Sequence, residues 1–124
     1  PMVTHALNAM RGLERREPSA LAAALLDRRV RIGLIGDGVH VAPEMTALLA
    51  RLAGPRLALV SDATAAAGAP PGRYRLAGRT VRSDGLRCLA GGRLAGSAAG
   101  LDRGPRTLVA AGVPVAAALA AAAV

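Results

Sequence analysis

Two short apolar runs, Val30 to Ile35 and Leu57 to Val60, flank a segment with helical periodicity, and this order limits the folds open to the chain. The first run contains β-branched residues and is bounded by Arg29 and by the turn-forming Gly36-Asp37-Gly38, as expected of a buried strand. Between the runs, Pro43 suits a first helical position and Glu44 suits the positive end of the helix dipole. Met45, Leu48, Leu49 and Leu52 recur at helical spacing and are expected to share one face, with Gly54-Pro55 ending the helix. Strand, helix and strand joined by short links imply a right-handed parallel βαβ unit. The fold class is therefore α/β.

The same logic extends in both directions. Met2-Val3-Thr4 is a strand stub ending at His5, and Ser19 to Leu26 is helical in composition, with Pro18-Ser19 as its start. Three strand-like pieces thus deliver His5, His40 and Asp62 at their C-terminal ends, the edge where a parallel α/β fold gathers catalytic groups. After Asp62 the texture changes. Residues 63–72 form a small-residue loop, and Tyr74 to Arg82 alternates around Ala77-Gly78 like a hairpin. Ser83-Asp84-Gly85 makes a second turn, and Leu86 to Leu89 and Arg93-Leu94 can add short strands around Gly91-Gly92. From Ser97 the pattern becomes helical, although Pro105 counts against an undisturbed helix unless it lies in an early turn. A last helix is expected near Val113-Pro114.

Length and composition narrow the function classes. A chain of 124 residues suffices for one modest core. That is about half of the roughly 250 residues a closed (β/α)8 barrel requires. Pro1 in first place, and a final helix with no stop signal, read as a segment of something longer. The net charge is +8, with 16 basic residues, all arginine, against 8 acids. The arginines are spread from Arg11 to Arg106, and Tyr74 is the single aromatic, so no platform exists for stacking bases. A nucleic-acid partner is not expected. Cys88 is alone, which excludes an internal disulfide and fits a buried, inert thiol in a reducing cytoplasm. Val113 to Val124 is too short to span a bilayer, and no membrane partner is expected.

Motifs in series sharpen this reading. Thr4-His5-Ala6-Leu7-Asn8-Ala9-Met10 resembles the Thr-His-x-x-Asn-Ala-Met signature of the N-acetylglucosamine-6-phosphate deacetylases, members of the amidohydrolase superfamily. The resemblance continues through Arg16-Glu17-Pro18, Ile35-Gly36-Asp37-Gly38-Val39-His40-Val41 and Leu59-Val60-Ser61-Asp62-Ala63. It persists in Tyr74 to Val81, in Leu94-Ala95-Gly96-Ser97 and in Leu101-Asp102. Ser19 stands where the family has Gly, Gly36 where it has Ala, and Ser61 where it has Thr; these small-for-small changes should preserve the backbone course.

The resemblance implies a partial (β/α)8 TIM barrel, its last three strands and their helices, with a β-hairpin insertion after the final strand. Residues 1–72 would form the barrel segment, 73–96 the insertion and 97–124 the terminal barrel helices. It further implies His5 as a ligand of a divalent metal, zinc or iron, Asn8 and Ala9 as substrate contacts and Arg16 as a phosphate contact. His40 would bind the substrate and Asp62 would be the catalytic acid/base. The implied reaction is hydrolysis of the N-acetyl group of N-acetylglucosamine 6-phosphate by a cytoplasmic enzyme that is a homodimer when complete. Chemistry explains the residue types. Amide hydrolysis needs an activated water and a proton for the departing amine, tasks suited to a metal and a carboxylate. The guanidinium of Arg16 offers a planar fork for phosphate oxygens.

The family's upstream carboxylate ligand, earlier metal-binding histidine and first five strands have no counterpart here, so the isolated chain is expected to be inactive. Plainer readings stay open: a structural histidine at His5, a turn or cap at Asp62, and a solvated pair at Arg15-Arg16. Asp37 between two glycines reads as a turn former without a catalytic role, and Gly68 to Gly72 as a loop and not a phosphate cradle. The alternatives for the whole chain are a non-catalytic remnant or assembly module, or a related amidohydrolase acting on another N-acyl substrate.

Overall fold

A computed structural model describes residues 1–123. Three parallel strands, β1 (Met2–Val3), β2 (Arg31–Ile35) and β3 (Leu57–Val60), lie in the order β1-β2-β3, with Val3 opposite Ile32 and Ile32 opposite Leu57. Every residue of β2 from Ile32 to Ile35 is buried, as a strand covered on both faces must be. Helix α1 (Ala20–Leu26) begins where the sequence indicates, because the Ser19 hydroxyl accepts a hydrogen bond from the Ala22 N–H at 3.2 Å. Helix α2 (Pro43–Ala53) links β2 to β3 through a short 3-10 turn at Gly54–Arg56. Leu21 and Ala24 of α1 and Leu49, Ala50 and Ala53 of α2 join Ile32, Leu34, Leu57 and Leu59 in one apolar core. Leu108 of α3 (Arg103–Ala110) and Ala118 and Ala121 of α4 (Val115–Ala122) complete it.

The buried face of α2 differs from the expected one. Thr46, Leu49, Ala50 and Ala53 are buried, whereas Leu48 and Leu52 are 40% and 50% exposed. The two candidate rows share Leu49 and differ by one residue of rotation. Small side chains at 46, 50 and 53 let the helix approach the sheet, and two leucines in their place would hold it off.

Beyond β3 the expected hairpin and the two further short strands form one sheet. Strands β4 (Gly72–Leu76), β5 (Arg79–Ser83), β6 (Arg87–Ala90) and β7 (Arg93–Ser97) form a four-stranded antiparallel sheet in sequence order. Ala77 and Gly78 turn the first hairpin at φ 46° and 79°, the pair of left-handed conformations that a tight two-residue loop requires. Cys88 is fully buried beside Ala66 and Ala98, with Tyr74 against them. Ser97 is not the first residue of a helical region. It closes β7, since its N–H donates to the Asp62 carbonyl and its carbonyl accepts from the Thr64 N–H, both at 2.9 Å. This bridge joins the two sheets. Helix α3 starts only at Arg103, so Pro105 falls in its first turn, where no N–H partner is lost.

Gly36 and Gly104 mark where β2 ends against α3. A Cβ on Gly36 would sit 2.8 Å from the Gly104 Cα and 2.9 Å from Leu59 Cδ2. Gly36→Ala is therefore expected to push α3 outward and to destabilise the fold by about 1–3 kcal/mol. A urea midpoint equal to that of the parent chain would refute this. Among the described residues, no helix is long and apolar enough to cross a membrane.

Candidate active site

His5, His40 and Asp62 each follow a strand of the parallel sheet, so strand order places them along one edge. The backbone there is strained. Five described residues other than glycine have positive φ, and four of them are His5 (37°), Leu7 (71°), Ala9 (51°) and Asp62 (49°). Such conformations cost of order 1–3 kcal/mol each and tend to collect at functional sites.

The segment after β1 is a tight turn. The Asn8 N–H donates to the His5 carbonyl at 2.8 Å, and the Ala6 N–H donates to the Gly33 carbonyl at 2.7 Å, docking the turn on β2. The His5 Nδ1 lies 3.0 Å from the Asn8 carbonyl oxygen. A carbonyl only accepts, so Nδ1 carries a proton, and in the neutral ring Nε2 is the nitrogen with the free lone pair. That is the arrangement a metal-ligating imidazole needs. The Asn8 amide donates to the Ala6 carbonyl at 3.2 Å, and Ala9 is exposed.

His40 is held more firmly. Its side chain is 5% exposed, and its Nδ1 lies 2.7 Å from Asp37 Oδ2. Asp37 Oδ1 accepts the N–H groups of Val39 and His40, each at 2.9 Å, and Oδ2 also accepts the Ser97 hydroxyl at 3.0 Å. Burial pushes the Asp37 carboxyl up, but the His40 and Val39 N–H groups and the His40 ring outweigh it and hold the carboxyl below its ordinary value. Arg103 Nε donates to the Asp37 backbone carbonyl at 2.7 Å. From sequence alone Asp37 reads as a turn former without a catalytic role, Ser97 as the last residue of the Leu94–Ser97 motif and the start of a helical region, and Arg103 carries no assignment. The three-residue spacing of Asp37 and His40 is the signal that could have linked that pair.

Asp62 presents an exposed side chain, and its backbone carbonyl is anchored by the Ser97 N–H. Ser97 therefore touches both Asp37 and Asp62, which brings the loops after β2 and β3 into one neighbourhood. Gly96, at φ 106°, is required beside it, because a Cβ there would meet Thr64 Cγ2 at 2.6 Å and the Asp62 carbonyl at 3.1 Å. Arg16 stands apart, exposed on an irregular segment where it lines a concavity with Arg11, Glu14, Arg15 and Glu17. Arg11 pairs with Glu17, whereas Arg16 makes no hydrogen bond or ion pair among the described residues. No three metal-ligating side chains of the His, Cys, Asp or Glu type converge among the described residues. On their own, these residues do not fit a metal ion, which takes three or more protein ligands.

No family model matches the chain. It is 42% identical over 109 residues to the N-acetylgalactosamine-6-phosphate deacetylase of Escherichia coli O157:H7, a match that covers 86% of this chain and 29% of that protein. It is 36% identical over 107 residues to the N-acetylglucosamine-6-phosphate deacetylase of Vibrio furnissii, covering 86% of this chain and 27% of the relative. Among solved structures, the N-acetyl-D-glucosamine-6-phosphate deacetylase of Mycobacterium smegmatis, a mutant in complex with N-acetyl-D-glucosamine-6-phosphate, superposes with a TM-score of 0.86. That match has 38% identity and covers 97% of this chain and 32% of the other. The chain belongs to the N-acetylglucosamine- and N-acetylgalactosamine-6-phosphate deacetylase family. It spans less than a third of the length of these two relatives. As a deacetylase-family chain, it carries both a parallel and an antiparallel sheet.

Proposed function

We propose that the chain supplies the acid/base side of the site in an amino-sugar-6-phosphate deacetylase, as three consecutive strands of a (β/α)8 barrel. The observation that carries this reading is the edge itself. Adjacent parallel strands present His5, His40 and Asp62, and Ser97 ties the last two loops together. In a complete barrel His5 would be one ligand of a divalent metal whose other ligands lie outside these residues. Such a metal acidifies water and polarises an acyl carbonyl.

The chain's own residues divide the remaining work. The Asp62 carboxylate, exposed at the strand end, accepts a proton from the attacking water and returns it to the departing amine. His40, almost enclosed, contacts the substrate through Nε2, and Asn8 and Ala9 form the turn against the sugar phosphate. Arg16 meets the phosphate through its guanidinium, which requires the exposed 11–18 segment to face the ligand. The substrate is the 6-phosphate of an N-acetylated hexosamine. Relatives named for the glucosamine and galactosamine epimers both match, so either sugar is a candidate.

A graft tests the reading directly. Residues 1–123 replace the corresponding third of the Mycobacterium smegmatis deacetylase, and acetate release is measured from both epimers. Turnover of at least one epimer is expected. A folded chimera that releases acetate from neither would sink the proposal.

A further inference from the structure

Asp37 does more than turn the chain. Its carboxylate meets four hydrogen-bond partners, two on each oxygen. Two of these are backbone N–H groups and can only donate. The third, the Ser97 hydroxyl, accepts from the Ala99 N–H at 3.0 Å and so has its own hydrogen directed to Asp37 Oδ2. An ionised carboxylate accepts about four hydrogen bonds and donates none. The fourth partner, His40 Nδ1 at 2.7 Å, must then be a donor as well. The proton of the neutral imidazole is fixed on Nδ1, and Nε2 is left as an acceptor. Among the described residues Nε2 has no hydrogen-bond partner.

We propose that Asp37 is a positioning residue: it fixes the tautomer of His40, so that the nitrogen offered to substrate is a hydrogen-bond acceptor, while Ser97 and Arg103 hold Asp37 itself in place. The consequence for substrate rests on the deacetylase reading above; the tautomer does not. An acceptor at Nε2 pairs with a sugar hydroxyl or the amide N–H of an N-acetylated sugar. It can donate to an acyl oxygen only when the ring is protonated. Arg103 reaches the same loop from α3, with Nε on the Asp37 backbone carbonyl, so the second sheet and the terminal helices converge on one residue, the first through its side chain and the second through its backbone.

The sharpest variant is Asp37→Asn. The Val39 and His40 N–H groups both require an acceptor, so they orient the new amide with its oxygen at the Oδ1 position. Its NH2 group then faces His40 Nδ1 and donates to it, which drives the ring proton to Nε2. The substitution should invert the tautomer without removing the turn. Ser97→Ala removes one of the four partners and should leave the proton on Nδ1.

The chain contains only two histidines, so 15N NMR of the imidazoles resolves both rings, with His5→Gln supplying the assignment. Spectra are taken at a pH that keeps imidazoles neutral. The parent chain should show Nδ1–H at His40, Asp37→Asn should show Nε2–H, and Ser97→Ala should match the parent. In the grafted deacetylase, Asp37→Asn should lower kcat/KM by about 10- to 100-fold, the size of effect known for groups that orient metal-bound histidines. An Nε2–H ring in the parent chain, which needs no variant to fold, would overturn the proposal. So would an unchanged tautomer in a folded Asp37→Asn, or an inverted tautomer with kcat/KM unaltered. A parent graft without turnover would instead count against the deacetylase reading, because NMR reads the tautomer on the free chain.

Discussion

Asp62→Asn in the grafted deacetylase is expected to lower kcat by about 10²- to 10⁴-fold, the range general acid–base groups contribute, with KM little changed. Asparagine is nearly isosteric and tolerates the left-handed backbone that Asp62 adopts at φ 49°. The anchoring bond from the Ser97 N–H goes to the backbone carbonyl and survives the change. Only the proton acceptor is lost. An equally folded variant with the parent kcat would remove Asp62 from the mechanism.

The second large effect is on stability. The Arg56 guanidinium, just before β3, donates from Nη1 to the carbonyls of Ala24, Asp27 and Val30 and from Nη2 to that of Leu25, all at 2.9–3.0 Å. These carbonyls belong to the last turn of α1 and its exit, where backbone acceptors lack helical partners and the dipole favours a cation. Helix α1 is seven residues long with no basic residue in its own last turn, so Arg56 closes it from 26–32 residues away in sequence. Arg56→Ala should cost about 2–4 kcal/mol, because charge-assisted contacts to four carbonyls, two of them sharing one Nη1 hydrogen, are lost together. Arg56→Lys should recover little of this, since an ammonium cannot fork to acceptors spread over the same plane. Urea denaturation measures both, and a loss of unfolding free energy under about 0.5 kcal/mol for Arg56→Ala would contradict the account.

The sequence showed what depends on local pattern. The apolar runs predicted β2 and β3, Ser19 predicted the start of α1, and the turn residues at Ala77-Gly78 predicted the hairpin. Positions of His5, His40 and Asp62 at strand ends followed from the same runs. What stayed hidden depends on partners distant in sequence. The buried row of α2 is chosen by clearance over the sheet, which helical spacing cannot report. Asp37 looked like a turn former because its turn bonds are local, whereas its contact with Ser97 spans 60 positions. Arg56 and Arg103 carried no sequence signal, since their acceptors are backbone carbonyls that any residue could supply.

The double contact of Ser97 also sets an order of events. Its hydroxyl reaches Asp37 and its N–H reaches Asp62, yet it lies at the far end of the antiparallel sheet. During synthesis both loops leave the ribosome well before Ser97 does, and domains form as their segments emerge. Until β7 docks, Asp37 lacks one of its partners and the Asp62 carbonyl lacks its anchor. A nascent chain halted before β7 would hold the chemical groups of the site without their final arrangement, and such chains would be exposed to proteolysis between β3 and β4.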